Sequence, residues 1–316
     1  MIDKIVLNIP TNGKPFSPSD FSNLKITFPG QTWKGIIKGK SIHLKQCIDR
    51  LVITANLPKI LNGENINPLS RKQVKESCDF LESLLHIDLK TAIVRYVEVG
   101  TSIITKEPPG KYLSLFGDHS RLKRNHITQI GKTETVLYFS EKGSYSFSGY
   151  DKMAEVLSKS KEKQMSVPLV YQGQNVLRLE LKIKKSAAIR KKFGQDLYLH
   201  DLYDHDVYTK LKNLFHEWYL DIPKTGREVF FNAEYLLTCS DINNAQAMLH
   251  RQLLPDDNRI LLLAVKPQMT DYNFKRTKDL YRKDYDETGY KQSVQSIRSD
   301  LIAELDSHIL GRVKTG

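Results

Sequence analysis

The segment Leu177-Arg178-Leu179-Glu180-Leu181-Lys182-Ile183-Lys184 alternates apolar and charged residues without a break. Successive residues point to opposite faces only in an extended strand. Leu177, Leu179, Leu181 and Ile183 therefore belong to one buried face, while Arg178, Glu180 and Lys182 project together from the other. Such a strand needs a sheet whose apolar side is covered. The same period of two recurs in Ile5-Val6-Leu7-Asn8-Ile9 and in Leu51-Val52-Ile53-Thr54-Ala55.

Strand-like runs dominate the first half of the chain: Lys4–Ile9, Lys25–Phe28, Gly35–Ile37, His43–Lys45 and Leu51–Ala55. Leu57-Pro58-Lys59 with Asn62-Gly63 reads as a break, and Ser70 is placed to N-cap a helix that runs to Leu85. A strand at Ile93–Ile104, a Pro-Pro-Gly interruption at 108–110 and a short helix or loop at Tyr112–Phe116 follow. Thr135–Phe139 and Tyr145–Tyr150 form a strand pair turned at Lys142-Gly143, followed by a polar helix over Asp151–Lys163. Glycine fingerprints of parallel crossover units are missing. The fold class is therefore α+β, an antiparallel β-sheet flanked by helices that pack on one side. Beyond Lys184 the pattern turns helical, at Ser186–Phe193, His205–Tyr219, Glu228–Cys239, Asn243–Leu254 and Gln292–Leu310, with helix-start chemistry at Ser240-Asp241. A hinge at Pro223–Gly226 divides a β-rich domain, residues 1–222, from a mainly helical C-terminal region, residues 223–316.

Lys and Arg total 48 against 36 acidic residues, a formal charge of +12. That excess favours a polyanionic partner, because each cation placed on a phosphate releases condensed counterions. Three dispersed cysteines form no CxxC pair, so neither a disulfide framework nor a zinc ribbon is suggested. No apolar run approaches the roughly 18–20 residues of a membrane span. The opening Met-Ile-Asp-Lys lacks the basic start and apolar stretch of a signal peptide. A soluble cytoplasmic protein of a bacterial host, with no membrane partner, is the expectation.

Three segments carry chemistry. In Arg95-Tyr96-Val97-Glu98-Val99, alternation sends Tyr96 and Glu98 to the face opposite Arg95, Val97 and Val99. A carboxylate there is either on an exposed face or, if buried, paired or bound to metal. In Gly149-Tyr150-Asp151-Lys152-Met153-Ala154-Glu155 a strand passes into a helix. Rigid backbone would hold the Tyr150 hydroxyl in a cleft, with Lys152 two residues on to stabilise phenolate or phosphorane charge. Tyr150 is otherwise an ordinary sheet-edge tyrosine among the 15 of this chain. In the third segment Glu180 faces the same way as Arg178 and Lys182. If Glu98 and Glu180 share a cleft, they would bind Mg²⁺ or Mn²⁺ through oxygen; if not, both faces are simply solvated. Lys182, Lys184, Lys185, Arg190, Lys191 and Lys192 then run on with no acidic residue among them. With Arg95, Arg178, Arg121, Lys123 and Arg124 they are read as a DNA-binding track, with Tyr198, Tyr203 and Tyr208 as stacking platforms or core residues.

Together these segments resemble the filamentous-phage replication initiators, the gene II proteins, and their phage and plasmid relatives. The resemblance runs from the first residues to about Gly194. It is carried by the Met-Ile-Asp start, by Ala55–Asn65 beside a "PaKvLqGhN" segment, and by Arg95–Val99 beside an R-I-D strand. Tyr150–Glu155 matches Y-x-K-x-x-E, and Leu177–Phe193 matches a hydrophobic-R-F/Y-E strand with a basic stretch. A looser likeness extends to plasmid initiators reading R-I-D, Y-D-K and R-F-E. The resemblance implies an HUH-like nickase core, with or without circular permutation, although no His-hydrophobe-His triplet occurs here. It further implies Tyr150 as the residue that takes the 5′ phosphate, Lys152 as its assisting cation and Glu180 as a metal ligand. Glu98 stands where relatives have Asp, and Glu64 replaces the histidine of the G-h-N element. The activity so implied is rolling-circle initiation: metal-dependent, site-specific nicking and rejoining of one strand through a 5′-phosphotyrosyl link. Origin DNA, single-stranded or supercoiled, would be the substrate, with host helicase and polymerase as partners, since no GxxxxGK[ST] loop is present. A non-catalytic origin-binding protein, a water-using nuclease and a conjugative relaxase are the other readings of the same residues.

Overall fold

The computed structural model describes residues 1–21, 23–28, 32–37, 39–127, 135–160, 167–224, 299–309 and 311. The chain divides into two compact units, residues 1–113, 118–223 and 305–316 in one and residues 114–117 and 224–304 in the other. Apolar alternation builds the first unit into a ten-stranded antiparallel sheet. Its strands are β1 (Ile2–Pro10), β2 (Leu24–Phe28), β3 (Lys34–Ile37), β4 (Ile42–Gln46) and β5 (Arg50–Asn56), then β6 (Ile93–Thr105), β7 (Lys123–Ile127), β8 (Thr135–Phe139), β9 (Tyr145–Asp151) and β10 (Asn175–Ile183). Their order across the sheet is β2-β3-β4-β5-β1-β6-β10-β9-β8-β7. The four central strands β5, β1, β6 and β10 thus come from well-separated parts of the unit's sequence. Helices α1 (Leu57–Asn62), α2 (Arg71–Leu85), α3 (Pro109–Ser114), α4 (Lys152–Ser160), α5 (Ser186–Phe193) and α6 (His205–Leu220) accompany them.

Within the described residues the expected strands and helices are present, and two departures have local causes. Leu57-Pro58-Lys59 starts α1 instead of breaking the chain. Asn56 caps it by accepting from Lys59 N at 3.0 Å, Pro58 sits in the first turn where its missing N–H is not needed, and Gly63 closes it at φ 77°. Strand β7, Lys-Arg-Asn-His-Ile, has no apolar alternation to announce it, and it forms by pairing along β8 at the sheet edge. Helix α2 begins as expected: Ser70 and Gln73 close a reciprocal capping box.

The apolar face of the central strands carries Ile5, Leu7, Val97, Val99, Leu177, Leu179, Leu181 and Ile183, all fully buried. Helix α6 covers part of it, with Phe215 stacking on Phe147 at 5.7 Å and Trp218 on Tyr145 at 5.2 Å. Each such side chain contributes about 1.5–3 kcal/mol by leaving water. Not every helix lies on this side. Val156 of α4 packs with Val176, Ile66 and Tyr171, together with Ile104 and Met153, and so caps one end of the opposite face. The helix expected over Gln292–Leu310 is described over residues 299–309, which are helical. Those expected at Glu228–Cys239 and Asn243–Leu254, and the cap at Ser240-Asp241, lie outside the described residues. Among the described residues no helix is long and apolar enough to cross a membrane.

Candidate metal and nucleophile site

The face opposite the apolar core carries the chemistry. Pairing across the sheet sets Glu98 beside Lys182, Gly100 beside Glu180, and both Ser102 and Tyr150 beside Arg178. Tyr96, Glu98, Tyr150, Arg178, Glu180 and Lys182 therefore share one face, as alternation requires. Glu98 and Glu180 meet there, and a third carboxylate joins them: one ligand oxygen from each of Asp3, Glu98 and Glu180 lies within 4.8 Å of the others. All three are buried.

Sequence periodicity hid Asp3. Strict alternation would put it with Ile5 and Leu7 in the core. Instead Ile2 pairs with Val99 and Ile5 with Val97, so β1 holds one residue more than β6 over that stretch. Ile2 and Ile5 both face the core, and the irregularity returns Asp3 to the acidic side.

Arg178 organises the centre. It is 1% exposed, donates from Nε to Glu180 Oε1 at 3.3 Å and from Nη1 to Ser102 Oγ at 3.0 Å, and pairs through Nη2 with Asp3. Gly100 makes the room: a Cβ there would stand 2.7 Å from Arg178 Nη2 and 3.0 Å from Cζ. This overturns the expectation that Arg178 belongs to the DNA-binding track. It is an internal counter-ion, since a buried carboxylate is tolerated only when paired. Lys182, at 28% side-chain exposure, reaches Glu180 Oε2 at 2.8 Å and Glu98 Oε2 at 3.7 Å.

Two tyrosines flank the acids. Tyr150 donates to Glu180 Oε1 at 2.6 Å, and Tyr96 donates to Glu98 Oε2 at 2.6 Å. Burial, reinforced by the facing carboxylates, raises both phenols well above their ordinary range. Burial also opposes charge on Glu180, but Arg178 and Lys182 more than offset it and hold that carboxyl at about 2. Asp3 and Glu98 are raised instead, by burial first; Glu180 adds to the rise at both. Arg178 and Lys182 bond to these acids, and Lys152 and the N-terminal ammonium also act on Asp3. An all-oxygen cluster of this size fits a hard divalent cation, and Asp3, Glu98 and Glu180 are the residues that would hold it.

Lys152 lies beneath this centre, fully buried, with Nζ 5.9 Å from the Tyr150 ring centroid. It donates to Asn65 Oδ1 at 3.2 Å and Glu155 Oε2 at 2.7 Å. Glu64 folds the turn that presents Asn65. Its carboxylate takes the Ile66 amide, the Asn67 amide at 3.3 Å and Asn67 Nδ2 at 2.8 Å. Asn65 and Glu155 fall in the segments that carry the family resemblance, whereas Ser102 and Gly100 carry no pattern that single-sequence reading can use, because each acts through Arg178, distant in the chain.

Most of the remaining cations line two clefts beside α5 that share Ala187. Arg95, Lys185 and Arg190 line a cleft of about 510 Å³ on one side of α5, with Asn8 and Asp196. Arg121, Lys123, Lys142 and Lys191 line another, of about 670 Å³, on the other side. Within them Arg190 pairs with Asp196 at 3.0 Å, Lys123 with Glu141 at 3.0 Å, and Arg121 with Asp221. Arg124 meets Asp118 at 3.7 Å, Lys184 is exposed beyond β10, and Lys192 is half-buried on α5. Tyr198 is 41% exposed, whereas Tyr208 is buried with its hydroxyl on Leu69 O.

Residues 1–204 match the family described as the N-terminal part of the gene II replication-associated protein. This chain belongs to that family of replication-associated proteins. Among solved structures it is similar to the rolling circle replication initiator protein from Geobacillus stearothermophilus, at 8% identity and a TM-score of 0.39, covering 74% of this chain and 89% of that one. A search of curated proteins finds no match.

Proposed function

We propose that this protein is a metal-dependent DNA nickase and strand-rejoining enzyme that opens an origin with Tyr150. The observation that carries this reading is the 2.6 Å bond from the Tyr150 hydroxyl to Glu180, a member of the buried acidic triad. Tyr150 Oη attacks the scissile phosphorus, the bond from phosphorus to the 3′ oxygen breaks, and a free 3′ hydroxyl leaves with a proton. The product is a 5′-phosphotyrosyl link, and attack by a 3′ hydroxyl reverses the step without ATP. Glu180 stands at hydrogen-bond distance to take the phenolic proton. Arg178 keeps Glu180 and Asp3 oriented, and Lys152 sets a positive charge beside the Tyr150 ring. Asp3, Glu98 and Glu180 would hold Mg²⁺ or Mn²⁺, which would supply positive charge near the scissile phosphate and favour phenolate. The cations around α5 contact DNA backbone, and the 3′ hydroxyl primes a host polymerase while a host helicase unwinds. The site of action is the host cytoplasm.

The test is incubation with labelled origin DNA and Mn²⁺ followed by a denaturing gel. A covalent adduct in the wild type, absent in Tyr150→Phe with DNA binding retained, is the expected result. Cleavage without any adduct points to a water-using nuclease and sinks the proposal. One observation favours a second reading of the nucleophile: Tyr96 makes the same phenol–carboxylate bond on the other side of the centre. Peptide mapping of the adduct separates Tyr150 from Tyr96.

A further inference from the structure

We propose that Lys182 is an exchangeable counter-ion, which occupies the acidic centre until a DNA phosphate draws its ammonium outward, so that divalent cation and DNA bind cooperatively. This rests on the metal-dependent reading above.

The argument starts from which oxygens are taken. Glu180 Oε1 accepts from both Tyr150 and Arg178. Glu180 Oε2 is held by Lys182 at 2.8 Å, and the same ammonium stands 3.7 Å from Glu98 Oε2, which also accepts from Tyr96. Asp3 Oδ2 is paired with Arg178. For Glu180 to offer Oε2 to a metal, one cation must withdraw. Arg178 is the wrong one: it is 1% exposed, bonded to Asp3, Glu180 and Ser102, and fitted over Gly100. Lys182 is 28% exposed and hangs on a flexible four-carbon stem. Among the described residues its ion pairs are with Glu98 and Glu180 alone.

A lysine displaced from that position is repelled by the charge that replaces it, yet it remains tethered to β10. The scissile phosphate, positioned for Tyr150 on the neighbouring strand, is the anion within its reach. Lys182 then leaves the acids and gains the phosphate in one exchange. Binding of either ligand lowers the cost of binding the other, and the coupling is reciprocal by thermodynamic linkage. The device keeps the centre weak for metal when no DNA is present.

Direct binding of Mn²⁺ tests this, with free Mn²⁺ counted by electron paramagnetic resonance in the full chain. Oligothymidylate serves as the phosphodiester probe, and all measurements use a Tyr150→Phe background so that no strand is cut. The wild-type Lys182 protein should bind Mn²⁺ weakly alone and more tightly with oligothymidylate. Lys182→Met should bind Mn²⁺ alone about tenfold more tightly, within the usual range of site–site coupling, and should gain little from the oligonucleotide. Lys182→Gln gives the same comparison if the Met variant does not fold. Lys45→Met, which removes the same charge from an exposed position on β4, should leave Mn²⁺ affinity unchanged. Unchanged or weaker Mn²⁺ binding in Lys182→Met overturns the exchange. Absence of Mn²⁺ binding in both proteins overturns the exchange and the metal-dependent reading together, whereas binding in both at equal strength removes only the exchange.

Discussion

The two faces of β10 differ more than any two neighbouring regions of this molecule. On one side Leu177, Leu179, Leu181 and Ile183 are fully buried among apolar neighbours. On the other, separated by the thickness of one strand, Arg178, Glu180 and Lys182 are held among two further acids and two phenols. The apolar face contributes stability and tolerates shape changes at graded cost. The charged face is dry enough to raise Asp3, Glu98 and both tyrosines, and its net contribution to stability is small because desolvation offsets attraction. The lesson is that burial by itself does not mark a core: the same depth is used for adhesion on one face and for an organised field on the other.

This contrast can be broken by substitution. The largest effect is expected from Glu180→Ala, which should lower the rate of adduct formation on the order of a thousandfold or more in a chain that still binds DNA. Gel-quantified adduct against time reads it, and a near-normal rate would remove the acidic centre from the reaction. Arg178→Met should cost about 3–5 kcal/mol, because Asp3 and Glu180 lose their buried cation. Urea unfolding measures it, and a stabilised variant would show that the centre needs no internal cation. Leu179→Ala should cost about 2–5 kcal/mol while leaving the adduct rate per folded molecule unchanged, which separates the faces by kind of effect. If that variant loses rate while folded, the two faces are not independent. Gly100→Ala should cost about 1–3 kcal/mol by pressing on the Arg178 guanidinium, and should weaken Mn²⁺ binding as well.

The smallest effect lies away from the centre. Burial, then Arg121, lowers His119 from its ordinary value of 6.5 to about 4, where the ring packs between Tyr138 and Trp218. A depressed folded pKa means the unfolded chain binds the proton more readily. Its stabilising contribution is complete above about 6.5 and is lost as pH falls from there through 4. His119→Phe should therefore flatten the stability profile across that window, read by thermal melting at a series of pH values. An unchanged slope would show that His119 is not a source of the acid limb.

Much of this was legible in the sequence because it is local. Period two placed Glu98, Glu180 and Tyr96 on chemistry-bearing faces, Ser70 marked the start of α2, and the order of motifs pointed to the family that residues 1–204 match. Pairing partners are not local. Whether Arg178 faces solvent or the interior depends on β6 lying beside β10 and on β1 lying next to β6, both far earlier in the chain. Asp3 joined the site through a strand irregularity that no alternation predicts, and Gly100 matters only because a guanidinium fills the space its absent side chain leaves. The sequence by itself determined which side chains share a face, since the pleat has a fixed period. The tertiary structure decided which of those faces is dry and which cations are locked in it, because desolvation belongs to the assembled sheet and to no single strand.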